Sequence, residues 1–198
     1  LVRISTEMSP DPNFISSLPV ELKRVGSIFF EGSFQGFPED FVAYGRLTTE
    51  AGSVKLDLNV ETDSLNNRLV YEGGVGTKNL DVGRVFDIKE FGIVAVQADV
   101  TAYSKDKVQS ASVVGKIESM EYAGYTYKNI QVDGKVASKK FEGKLISRDP
   151  NVDFRFQGLV DFSAKVPLLD FYADIINIDL STLKLVKADE HLSFSSRV

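Results

Sequence analysis

One histidine stands near a run of serines, and that is the first arrangement to test for chemistry. His191, followed by Ser193-Phe194-Ser195-Ser196, would set a general base beside a hydroxyl nucleophile if the fold held them together. A chain end is seldom held to catalytic tolerance, so a frayed tail is the plainer reading. With no other histidine and no cysteine, the usual nucleophile–base pairs do not assemble. The G-x-S-x-G, H-E-x-x-H and P-loop patterns do not occur. Glu39-Asp40 and Glu118 with Glu121 are acidic pairs of the kind a glycosidase uses, but solvated strand faces account for them. Asp149-Pro150-Asn151-Val152-Asp153 opens like a calcium loop. However, Phe154 stands where that loop needs glycine and Val160 where it needs glutamate, which leaves a polar turn. Lys135, Lys139, Lys140 and Lys144 near Tyr125 and Tyr127 suggest a nucleic-acid surface, but Asp133 and Glu142 interrupt it. The expectation is a non-enzymatic chain with no catalytic residue, metal or cofactor.

Composition narrows the partners. The 198 residues carry 28 acidic and 23 basic side chains, a net charge of −5. That balance argues against nucleic acid, which calls for a basic excess on one face, and against a polybasic membrane binder. A hydrophobic share of 43% supports a folded core. Without cysteine there is neither a disulfide framework nor a thiolate metal site. No apolar window of about 18 residues is available for a membrane-spanning helix. The chain begins Leu1-Val2-Arg3, so a processed or excised fragment is expected, with any anchor elsewhere.

The elements that would position side chains are strands. Val54, Leu56, Leu58 and Val60 alternate with Ser53, Lys55, Asp57, Asn59 and Glu61. Val152, Phe154, Phe156, Val160 and Phe162 alternate with Asp153, Arg155, Gln157 and Asp161. Period-two alternation predicts strands with one dry and one wet side. Weaker alternation marks 28–34, 41–47, 94–102, 113–117, 130–136, 141–145 and 169–175. Turn residues separate these runs at 51–52, 63–67, 104–106, 123–124, 138–140 and 149–151. The reading is one all-β domain over 1–198: an antiparallel meander of roughly nine or ten strands with minor short helices. Helical signals fall at 11–18, ended by Pro19, at 20–24 and at Thr77–Phe86, while 180–186 is ambiguous.

Six glycines fall on the apolar side of their strands: Gly32, Gly45, Gly115, Gly134, Gly143 and Gly158. Glycine inside a strand marks a bend or a close approach, and repetition on one face would let a sheet curl. Alternatively they relieve crowding opposite the fourteen phenylalanines in a filled sandwich core, the commoner outcome for such strands.

The stretches 32–37, 40–45, 125–134, 141–145 and 149–151 carry a resemblance. In order and spacing, Gly-Ser-Phe-Gln-Gly-Phe, Asp-Phe-Val-Ala-Tyr-Gly, Tyr-Thr-Tyr-Lys-Asn-Ile-Gln-Val-Asp-Gly, Phe-Glu-Gly-Lys-Leu and Asp-Pro-Asn look like an interior segment of the TamB/AsmA-like translocation and assembly proteins of Bacteroidetes-type bacteria. The likeness covers about residues 25–187, leaving a short helical lead-in (1–24) and a tail (188–198). It implies a curled sheet, a β-taco or half-pipe with an apolar concave face. It also implies a periplasmic place within an inner-membrane-anchored envelope protein and a role in phospholipid transport or outer-membrane protein assembly. Implied partners are lipid acyl chains, the rest of a longer chain, and a BamA-like outer-membrane barrel such as TamA. The chain departs from the family pattern in lacking the anchor and most of the length.

This resemblance shifts the glycine reading from a filled core to a groove. The expected lining is Phe30, Phe34, Val54, Leu56, Leu58, Val132, Phe154, Phe156 and Phe162, where each buried CH₂ of a lipid contributes about 0.8 kcal/mol. Cut sheet edges would favour an edge-to-edge homodimer. The rivals are a closed lipocalin-like barrel holding one apolar ligand and a purely structural β-sandwich.

Overall fold

The structure, a computed structural model, describes residues 2–4, 24–37, 39–105, 108–137, 139–183 and 196–197. A short strand β1 (Val2–Ile4) precedes ten long ones: β2 (Ile28–Phe37), β3 (Asp40–Thr49), β4 (Gly52–Asp63), β5 (Arg68–Asp81), β6 (Phe91–Lys105), β7 (Val108–Tyr122), β8 (Tyr125–Ala137), β9 (Lys140–Asp149), β10 (Val152–Asp161) and β11 (Leu168–Ile178). A two-residue strand β12 (Ser196–Arg197) follows. All lie in one antiparallel sheet in strict chain order, with β1 on the outer edge of β2 and β12 on the outer edge of β11. The meander is open and curls as a half-pipe. Neither rival architecture forms. β2 and β11 do not pair to close a barrel, and among the described residues no strand packs as a second layer on another.

Local chemistry explains the hairpins. Ala123 and Gly124 both take positive φ, 50° and 79°, the two-residue turn whose twist matches the flanking strands. At the β4–β5 turn the Asp63 carboxylate accepts from the Asn66 N–H and from Arg68 Nε, at 3.2 and 2.9 Å, while Asn67 takes φ 47°. At the β3–β4 turn the Thr49 hydroxyl accepts from the Ala51 N–H and donates to the Gly52 carbonyl.

Two sequence expectations need correction. The helix predicted over Thr77–Phe86 is only α1 (Val82–Phe86), because Asp81 caps it, accepting from the Arg84 N–H at 2.9 Å. Residues 77–81 instead finish β5, the one long strand the alternation did not mark. Within the expected helical lead-in, residues 2–4 are strand, drawn to the unpaired edge of β2. The helical signal at 11–18, that at 20–24 except for Arg24, and His191 lie outside the described residues.

Irregularities recur near one end of the strands. The β5–β6 register shifts between Thr77 and Leu80, the β6–β7 register between Ala95 and Val96, and the β10–β11 register between Asp153 and Phe154. In β8, Asn129 takes φ 54°, and inward-leaning positions change from Tyr125 and Tyr127 to Ile130 and Val132. Bulges bend strands and sharpen twist, so together they bend the sheet along one line.

Candidate functional site

The register arranges the apolar side chains into rows that run across the strands. One row passes from Phe30 through Leu47 and Val54 to Thr77, and continues by Ile117 and Ile130 to Phe154 and Ile175. The next holds Leu56, Val132, Leu145 and Phe156, with Gly32, Gly45 and Gly115 in the same line. The third joins Phe34, Ala43 and Leu58 to Gly134, Gly143, Gly158 and Phe171. A fourth ends Phe141–Val160–Leu169. Nine strand spacings of about 4.8 Å make each row about 43 Å long. Eight of the nine expected lining residues therefore share one face. Phe162 does not: it stands one residue past β10, 53% exposed, in the loop to β11.

This face is neither sealed nor bare. Phe30, Val54, Leu56, Leu58, Val132, Phe154 and Phe156 are half-buried by their neighbours. Phe34, Phe171 and Leu169 are 45%, 44% and 56% exposed. Full burial is limited to scattered, mostly small side chains such as Ala43, Val60 and Ile130. A filled core would bury its phenylalanines, and this face leaves them reachable. Aromatic rings tie its outer strands together: Phe156 lies 6.1 Å from Phe141 and 5.1 Å from Phe171, and Phe34 stacks on Phe41 at 4.8 Å.

The six glycines all lie on this face, and the structure gives them two jobs at once. At Gly45 an added Cβ would overlap the Glu31 carbonyl oxygen and come 3.0 Å from the Phe30 ring. At Gly158, with φ +150°, it would overlap the Asp170 carbonyl and the Phe171 backbone. Neighbouring strands approach too closely for a side chain, while aromatic rings lie across the bare floor. Close strand approach and an overlying ring thus occur together at Gly45.

The bulged end of the strands sets a satisfied polar network beside buried apolar side chains such as Val94, Ala95 and Val152. Asp149, 2% exposed, accepts from the Tyr125 hydroxyl at 2.6 Å, the Lys128 N–H at 2.8 Å and the Asn151 N–H at 2.9 Å. Asn151 in turn donates to the Tyr125 oxygen at 3.0 Å. Burial, reinforced by the Asp149 carboxylate, pushes the Tyr125 hydroxyl above the usual tyrosine range and keeps it a donor. Asp153 is turned to Arg148 at 2.6 Å, so the D-x-N-x-D carboxylates do not converge. Tyr125 and Tyr127 sit here, edge to face at 4.8 Å, far along β8 from Lys135, and the basic–aromatic cluster is not assembled.

Shallow hollows of about 540 and 580 Å³ lie on the opposite, polar face. A twisted sheet is saddle-shaped, so its outer face is dished along one diagonal. Charges of both signs, such as Asp133 with Lys144 and Lys55 with Asp57, rim these dishes and stand exposed. The extended apolar face is therefore the better candidate. Leu47, Val75, Leu145 and Phe171 complete it and were missed as lining. Period two within 41–47, 141–145 and 169–175 would have found Leu47, Leu145 and Phe171, while β5 offers no alternation to place Val75. No protein-family model matches the chain, nor does any curated protein or solved structure.

Proposed function

We propose that this chain is a non-enzymatic segment of a periplasmic, inner-membrane-anchored envelope protein of the TamB/AsmA-like kind, and that its apolar face guides phospholipid acyl chains. One observation carries the reading: rows of apolar side chains and glycines cross all ten strands, interrupted by polar residues only at Thr77 and Ser147 of the first row, and stay partly exposed on an open sheet. A single-ligand site would gather polar groups around one deep pocket. Here the contacts are even, weak and repeated, which suits sliding rather than capture. No residue dominates, and headgroups would stay in water beyond the strand ends while chains lie along the rows. Assembly of outer-membrane proteins with a barrel partner such as TamA belongs to the same proposal through the resemblance, and no side-chain observation adds to it.

The test is photo-crosslinking in cells, with a reactive residue placed in turn at Leu56, Phe156, Lys55 and Gln157. Lipid adducts should form at the first two positions and not at the last two, which face the other way. Equal labelling of both faces, or none, would end the groove reading.

A further inference from the structure

The polar face holds a smaller hollow whose charge runs against that of the chain. It lies across β3 to β7, has a volume of about 140 Å³, and takes its charged lining from Arg46, Lys55, Lys78 and Glu118. In a chain of net charge −5, three cations there meet one carboxylate. The register brings them together. Arg46 is directly opposite Lys55, Lys55 is opposite Gly76, and Gly76 is opposite Gln97. Lys78 stands in the irregularity between Thr77 and Leu80, and Glu118 between Ile117 and Ser119. Bulges re-aim side chains, and these two turn one charge of each sign into the hollow. Asp57, on the same face of β4, lines the larger dish beside it.

Two features separate this hollow from an ordinary wet face. Like charges directly opposed on antiparallel strands destabilise the pair, yet Arg46 faces Lys55. Among the described residues neither of them, nor Lys78, forms an ion pair. Gly76 leaves the floor bare, since an added Cβ would find nothing nearer than Gln97 Cγ at 3.7 Å. Unpaired cations thus surround a space that no side chain fills. We infer that the hollow binds the phosphate group of a water-soluble phosphate monoester. Such a group carries about −1.5 to −2 charges and three strong acceptor oxygens. It would meet donors alone at Arg46, Lys55 and Lys78, and a further donor in the Gln97 amide. The volume is well below the roughly 300–1,000 Å³ of a pocket that encloses a drug-sized ligand, so the phosphate is held and its carrier stays in water. No apolar side chain lines the hollow, which leaves an acyl tail nothing to lie on. The cations are exposed and Glu118 opposes them, so binding is weak. The inference goes beyond the lipid reading and does not depend on it, because the two sites occupy opposite faces. Phosphate binding without lipid labelling at Leu56 and Phe156 would leave it standing, and labelling without phosphate binding would remove it alone.

The test is an NMR titration of the isotope-labelled chain with inorganic phosphate at fixed ionic strength. The amides of Gly76, Lys78 and Gln97 should shift saturably, with a Kd of about 1–10 mM, and chloride should not move them. Lys55→Gln and Lys78→Gln should each weaken binding about three- to tenfold. Gly76→Val, which fills the floor, should weaken it more than about tenfold, and Glu118→Gln should tighten it about two- to threefold. Glycerol phosphate should shift the same amides, while vesicles of phosphatidic acid should affect them no more than vesicles of phosphatidylcholine. Equal shifts with chloride, an unchanged Kd in folded Gly76→Val, or a response to phosphatidic acid vesicles alone would each overturn the assignment.

Discussion

The two faces of this sheet use the same residue for opposite reasons. On the apolar face an added Cβ at Gly158 runs into the backbone of β11, and at Gly45 into that of β2. On the polar face Gly74 and Gly76 have nothing nearer than 3.7 Å. Backbones close in on one side and splay on the other. The difference teaches that the apolar face is crowded at its floor yet open above it, and that glycine there is a condition of curling.

The largest effect should therefore come from Gly158→Val, which combines a φ of +150° with overlap on Asp170 and Phe171. It should cost about 3 kcal/mol or more in urea denaturation. Gly76→Val, on the polar side, should stay within about 0.5 kcal/mol. Matching losses at the two positions would erase the contrast. Next comes Phe156→Lys. On a half-open face the ammonium can reach water, so about 2 kcal/mol should go together with lipid labelling, while the fold survives. Outright unfolding, as for an unpaired charge in a sealed core, would mean that the face is closed.

A smaller loss sharpens the distinction between groove and rim. Tyr125→Phe strips Asp149 and Asn151 of one partner and should cost about 1–2 kcal/mol by thermal melt, without changing lipid labelling. The smallest effect is one of pH. The Thr182 backbone N–H, then its hydroxyl and that of Ser181, hold the Asp179 carboxyl down at about 2. An unfolded aspartate titrates near 3.9, so this group's contribution is whole above about pH 4 and fades as pH falls toward 2. Asp179→Asn should flatten that acid limb of the melting curve. An unchanged limb would locate the acid sensitivity elsewhere.

Much of this was legible. The alternation in β4 and β10 placed Val54, Leu56, Leu58, Phe154 and Phe156 on one face because a half-buried strand leaves no other pattern. β5 was hidden because Gly73, Gly74, Gly76 and Thr77 blank out both the apolar and the polar positions of its alternation. The parity change at Asn129 was readable in principle, since tyrosines at 125 and 127 give way to Ile130 and Val132 across a residue that tolerates left-handed backbone. The exposure of Phe34 and Phe171 was not readable, because period-two spacing says which side a residue takes and nothing about what covers it.

Strict chain order in the sheet has a mechanical corollary. Among the described residues each long strand pairs only with the strands before and after it, so its stability resembles that of a stacked array more than that of a globule. Tension applied at the two ends would meet hairpins one at a time, peeling the ribbon from its margins instead of rupturing it in a single event. Anything tethered to its ends would therefore be held by a compliant strap, one that lengthens in steps of a single hairpin and zips back when slack returns.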